Sequence, residues 1–92
     1  MSGYRRPTLL VSDSVLIYAV RYAIGRKTYA VGDVCQSVVE NKQRLDTKTI
    51  KCIMRDIYIA KDLGSDIDKQ HWQELIEYLQ YELMERETKS VQ

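Results

Sequence analysis

"RYAIGRKTYAV", residues 21–31, decides how this chain folds. It follows an apolar run, Val15 to Val20, and breaks it with three cations, two tyrosines, a glycine and a threonine. Gly25 suits the left-handed position that closes a helix. Thr28 can cap the helix that follows. The stretch therefore reads as a junction between two helices, and the rest of the chain is read outward from it.

On the N-terminal side, Ser12 or Asp13 can start a first helix that runs through "SVLIYAVRYAI" to Gly25. Its apolar residues, Val15 to Val20 and Tyr22 to Ile24, go nearly all round. A helix apolar on every side is buried on every side. Three other helices are too few to cover it in so short a chain, so self-association is expected. Before it, "MSGYRRPTLLV" (1–11) reads as an extended arm, because Pro7 removes a donor and turns Arg6 away from helix.

On the C-terminal side, Val31, Val34, Cys35, Val38 and Val39 follow a 3.6-residue period. That period outweighs the strand preference of valine, and a second helix is expected to begin at Thr28 and fray near "ENKQRL". A third should start at Asp46 or Thr47. Its buried face would be Ile50, Ile53, Met54, Ile57 and Tyr58, with Ala60 or Lys61, and Leu63–Gly64 would end it. A fourth follows a cap at Ser65, Asp66 or Asp68. It carries the stripe Trp72, Leu75, Ile76, Leu79 and Leu83, opposite a solvated side of Glu74, Glu77, Glu82 and Glu85. Residues 87–92 are a polar tail. The expectation is all-α: one compact bundle of about four helices with an extended N-terminal arm, oligomeric.

Ninety-two residues suit a single domain. A net charge of +1 predicts no strong non-specific attraction to nucleic acid or anionic lipid. The charge is unevenly placed, however. Residues 1–45 carry seven cations and three acids, whereas residues 46–92 carry seven cations and ten acids. Such asymmetry suits a basic site on the first half, or docking of the halves on each other or on neighbouring chains. The longest apolar run is too short to span a bilayer. Cys35 and Cys52 sit on apolar helix faces without a signal peptide, which points to reduced, buried thiols in a cytoplasmic protein.

No catalytic signature stands out. Two cysteines and one histidine, His71, form no zinc pattern, and His71 reads as a half-exposed helix residue. P-loop, dinucleotide and EF-hand fingerprints are missing, so neither a cofactor nor a metal is expected, and the chain is read as non-enzymatic. Helix 3 offers Thr47, Lys48, Lys51 and Arg55 to phosphates, but these also make an ordinary solvated face.

The opening stretch supports two readings. In one it is only a helix junction: Gly25 ends a helix, Arg26 and Lys27 offset its negative end, Thr28 caps the next, and Arg21 pairs with Asp56 or Asp33. In the other it is a site. Arg21, Arg26 and Lys27 would hold phosphates, the free amides and hydroxyl at Thr28 would assist, and Tyr22 or Tyr29 would stack on a base.

"RYAIGRKTYAV", with "TIKCIMRDI" and "HWQELIEYL" after it, resembles a group of small accessory proteins of bacteriophages and prophages that share an R-Y-A-x-G-R-x-T-Y motif. The resemblance covers roughly residues 15–80. It implies a short protein working in the cytoplasm of a bacterial host and carries over no catalytic residue. Many phage proteins of this size act by binding. The expectation is thus a counter-defence protein that sequesters a nucleotide-derived anionic signal, such as a cyclic oligonucleotide, in an oligomeric pocket. The alternatives are a protein–protein inhibitor of a host or defence enzyme, its acidic helix 4 imitating nucleic-acid phosphates, and a small DNA-binding regulator using helix 3.

Overall fold

The structure is a computed structural model that describes residues 12–24 and 30–90. Four helices fill it: α1 (Asp13–Ala23), α2 (Ala30–Asn41), α3 (Thr47–Ile59) and α4 (Asp66–Ser90). No strand occurs among the described residues. The all-α expectation holds, and the 3.6-residue period of the valines does make a helix of α2. The expected arm (1–11), the end of the tail (91–92) and Gly25, Arg26, Lys27, Thr28 and Tyr29 lie outside the described residues.

Helices α1 and α4 begin where local side chains satisfy free amides. Ser12 caps α1, its hydroxyl accepting from the Val15 N–H at 3.4 Å. At α4 a reciprocal box forms: the Asp68 carboxylate accepts from the Ser65 N–H at 3.1 Å, and the Ser65 hydroxyl accepts from the Asp68 N–H at 3.2 Å. Gly64 precedes it with φ of +97°, a conformation that side chains resist, and its missing Cβ leaves the space that Asp68 fills. The start of α3 is different. Asp46 stands at its N-cap but makes no side-chain cap bond. Asp13 of α1 supplies the acceptor instead, taking the Asp46 N–H at 3.2 Å and the Thr49 hydroxyl at 2.7 Å. One helix thus caps another across 33 residues of sequence.

Helices α1 and α4 each pack on both α2 and α3, so the order around the bundle is α1, α2, α4, α3. Leu16 and Val20, Val31 and Val38, Ile50 and Ile53, and Trp72, Leu75 and Leu79 meet at the centre, all at most 2% exposed. The Trp72 indole N–H is buried there without a hydrogen-bond partner.

A single chain does not bury α1 on all sides, in keeping with three other helices being too few to cover it. Val15, Tyr18 and Tyr22 are 54%, 71% and 52% exposed, because the bundle covers only the face of Leu16, Val20 and Ala23. Two expectations about helix ends and faces are corrected. First, α3 stops at Ile59, before Leu63–Gly64, so Lys61 lies beyond it. Tyr58 is exposed, where its hydroxyl accepts from Gln80 at 3.2 Å. Second, Glu82 is buried rather than solvated. Arg86, one turn on, pairs with it at 3.0 Å, and Lys42 lies 3.9 Å from its other oxygen. The polar tail continues α4 as helix through Ser90. Arg86 ties that end of α4 to the α2–α3 turn. It donates to the Lys42 and Gln43 carbonyls at 2.8 and 3.3 Å and to the Thr47 hydroxyl at 3.0 Å.

Candidate functional site: a basic groove between α1 and α3

Of "RYAIGRKTYAV", residues 21–24 and 30–31 are described, so the expected site is only partly visible. Arg21 and Tyr22 are described and exposed; Arg26, Lys27, Thr28 and Tyr29 are outside. Arg21 reaches across to α3. Its Nε donates to Asp56 Oδ2 of α3 at 2.7 Å, and its Nη2 lies 3.6 Å from the Cys52 sulfur. The Asp56 pairing resolves one of the two acids offered by the sequence. The hydrogen bond to Asp56, then its charge, raise the Arg21 guanidinium above its ordinary value. Arg21 remains 59% exposed at its side chain, whereas Asp56 is 13% exposed. The cation therefore still presents N–H groups to solvent.

That pairing seats Arg21 at the rim of an open groove of about 540 Å³, lined by Arg21, Lys48, Lys51, Cys52, Arg55, Asp56 and Ile59. Four cations face one carboxylate. Lys48, Lys51 and Arg55 are spaced i, i+3, i+7 on α3, so they project as one row. No ion pair among the described residues engages any of the three. Ile59 closes one end as an exposed apolar wall. Tyr18, one turn before Arg21, stands exposed on the same face of α1. The sequence placed Arg21 in one candidate site and the α3 cations in another. The α1–α3 packing makes them one surface.

A second cavity, of about 210 Å³ between α2 and α4, holds Cys35, His71, Glu74 and Tyr78. His71 lies close over Gly32, where a Cβ would come within 3.5 Å of its Nε2. A cysteine beside a histidine invites a nucleophilic reading. The thiol argues otherwise. Desolvation first, then the charges of Glu74 and Asp68, push Cys35 up to about 12, so it stays protonated. Among the described residues, no group of three His, Cys, Asp or Glu is placed to hold a metal ion. No helix among them is long and apolar enough to cross a membrane. Comparison with protein-family models, with curated proteins and with solved structures returns no match for this chain.

Proposed function

We propose that this chain is a non-enzymatic binding protein for a phosphate-bearing ligand of the nucleotide class, held in the α1–α3 groove. The observation that carries the reading is the convergence of Arg21, Lys48, Lys51 and Arg55 on one open groove with a single carboxylate among its lining residues. Arg21 already neutralises that carboxylate. The remaining cations are left to an anion, and guanidinium and ammonium groups bind phosphate oxygens through charge-assisted hydrogen bonds. Ile59 and Tyr18 offer apolar and aromatic surface beside the cations, which suits a base more than a bare phosphate.

Within the likeness to phage accessory proteins, the role is sequestration of a cyclic oligonucleotide signal in a bacterial cytoplasm. The affinity comes from charge pairing and stacking, and no bond is made or broken. Arg26, Lys27, Thr28 and Tyr29 extend the same proposal beyond the described residues. A polynucleotide is the second reading, favoured by the regular row of cations along α3.

Calorimetry of the full chain against cyclic di- and trinucleotides, with a short DNA duplex and a single strand as separate arms, tests the proposal. Heat is expected with at least one cyclic species. Lys51→Gln and Arg55→Gln should each weaken it by roughly tenfold, about 1.4 kcal/mol. Heat with the DNA arms alone selects the second reading. No heat with any nucleotide, or heat untouched by both substitutions, rejects the groove as the site.

A further inference from the structure

The acids of α4 form a surface complementary to the groove. Glu74, Glu77, Tyr78 and Tyr81 line a shallow concavity of about 450 Å³ on the outer side of α4. Glu85 continues the same row one turn beyond Tyr81. Tyr78 and Tyr81 are 53% and 71% exposed. From Glu74 to Glu85 the acidic row runs about 16 Å, and from Lys48 to Arg55 the cationic row runs about 10 Å, at ~1.5 Å per residue. The shorter cationic row fits within the longer acidic one.

The two surfaces face different ways. The groove lies on the seam between α1 and α3. Glu74 and Tyr78 also line the cavity between α2 and α4, so the acidic row borders the other seam. In the order α1, α2, α4, α3, these seams are on opposite sides of the bundle. One molecule therefore cannot satisfy its own groove with its own acids.

We propose that the acidic, tyrosine-bearing face of α4 docks into the α1–α3 groove of a second copy of this chain. The charge complementarity of the two faces is the warrant, and Ile59 in the groove meets tyrosine rather than water. Because the faces differ, the contact is head-to-tail. Each added copy leaves one groove and one acidic face unfilled, so assembly continues into open chains or a ring. This inference goes beyond the nucleotide reading and stands without it.

Sedimentation velocity of the full chain without nucleotide tests it, at about 0.05 M and about 0.5 M salt, where screening differs severalfold. Mass should rise with concentration at low salt and fall to one chain at high salt. Two double variants separate the faces: Lys51→Gln with Arg55→Gln removes two of the four groove cations, and Glu74→Gln with Glu77→Gln removes two of the three acids of the row. All four positions are exposed, so both variants should fold, and circular dichroism checks this. Each should be monomeric alone. Mixed in equal amounts they should form a 1:1 pair of twice the mass and stop, since only one intact groove and one intact face remain between them. A wild-type chain that stays monomeric at low salt, a variant that still assembles alone, or a mixture that stays monomeric overturns the proposal.

Discussion

Asp13 carries more of the structure than its place at a helix start suggests. Its carboxylate joins α1 to α3 by accepting from the Asp46 N–H and the Thr49 hydroxyl, and Arg44 lies 3.7 Å away. The Thr49 hydrogen bond first, and then the Asp46 amide, hold this carboxyl below its ordinary value against a smaller desolvation cost. The sign of the linkage follows. A group whose folded pKa is depressed gives stability that is present above its unfolded value, near 3.8 here, and is lost as pH falls through the folded value. Asp13→Ala is therefore expected to cost about 1 kcal/mol at neutral pH, as a lost cap does. Its stability should also fall less steeply below about pH 4 than that of the wild type. Urea unfolding at pH 7 and across the acid range checks both. An acid slope equal to that of the wild type removes Asp13 from this role. The two cysteines differ at the same scale: Cys35 is buried and held protonated, whereas Cys52 is half-buried beside Arg21.

Among the elements, α4 depends most on one backbone position. The Ser65–Asp68 box works because Gly64 turns the chain at φ +97° and leaves room for the Asp68 carboxylate. The Asp62 carboxylate steadies the turn by accepting the Gly64 N–H at 2.9 Å. Gly64→Ala meets two costs together, a left-handed backbone and a collision with Asp68. A loss of roughly 1–2 kcal/mol from the first alone is expected. Thermal unfolding measures it, and an unchanged midpoint shows that the turn relaxes. The far end of the same helix is held by Arg86, which also neutralises buried Glu82. Removing Arg86 would leave the buried Glu82 carboxylate with Lys42 alone, 3.9 Å from one oxygen, a costlier change than loss of a surface ion pair.

At the scale of the molecule, charge is divided between two seams: cations along α1 and α3, acids along α4. One groove cannot hold both a phosphate ligand and a neighbour's α4. A nucleotide that gives heat in calorimetry is therefore expected to return the low-salt assemblies to the mass of one chain, read by sedimentation with ligand present. Assemblies that keep their mass under saturating ligand separate the two sites. Exposed Val15, Tyr18 and Tyr22 are what remains of the apolar excess of α1 in a single chain, because α2 and α3 cover one face of it.

The sequence by itself determined the helices and most of the core. The periods of Val31 to Val39 and of Trp72 to Leu79, the Ser12 cap and the Ser65–Asp68 box act within a few residues, and such local physics is legible in order along the chain. Only the tertiary structure decided which helix caps α3, which acid Arg21 takes, that Glu82 is buried, and that Arg21 shares a groove with Lys48, Lys51 and Arg55. Those contacts join residues that are far apart in sequence, up to 44 apart for Arg86 and the Lys42 carbonyl. Their partners are chosen by how the helices pack, because burial fixes the helix faces first and leaves the surface charges to pair with whatever is brought beside them.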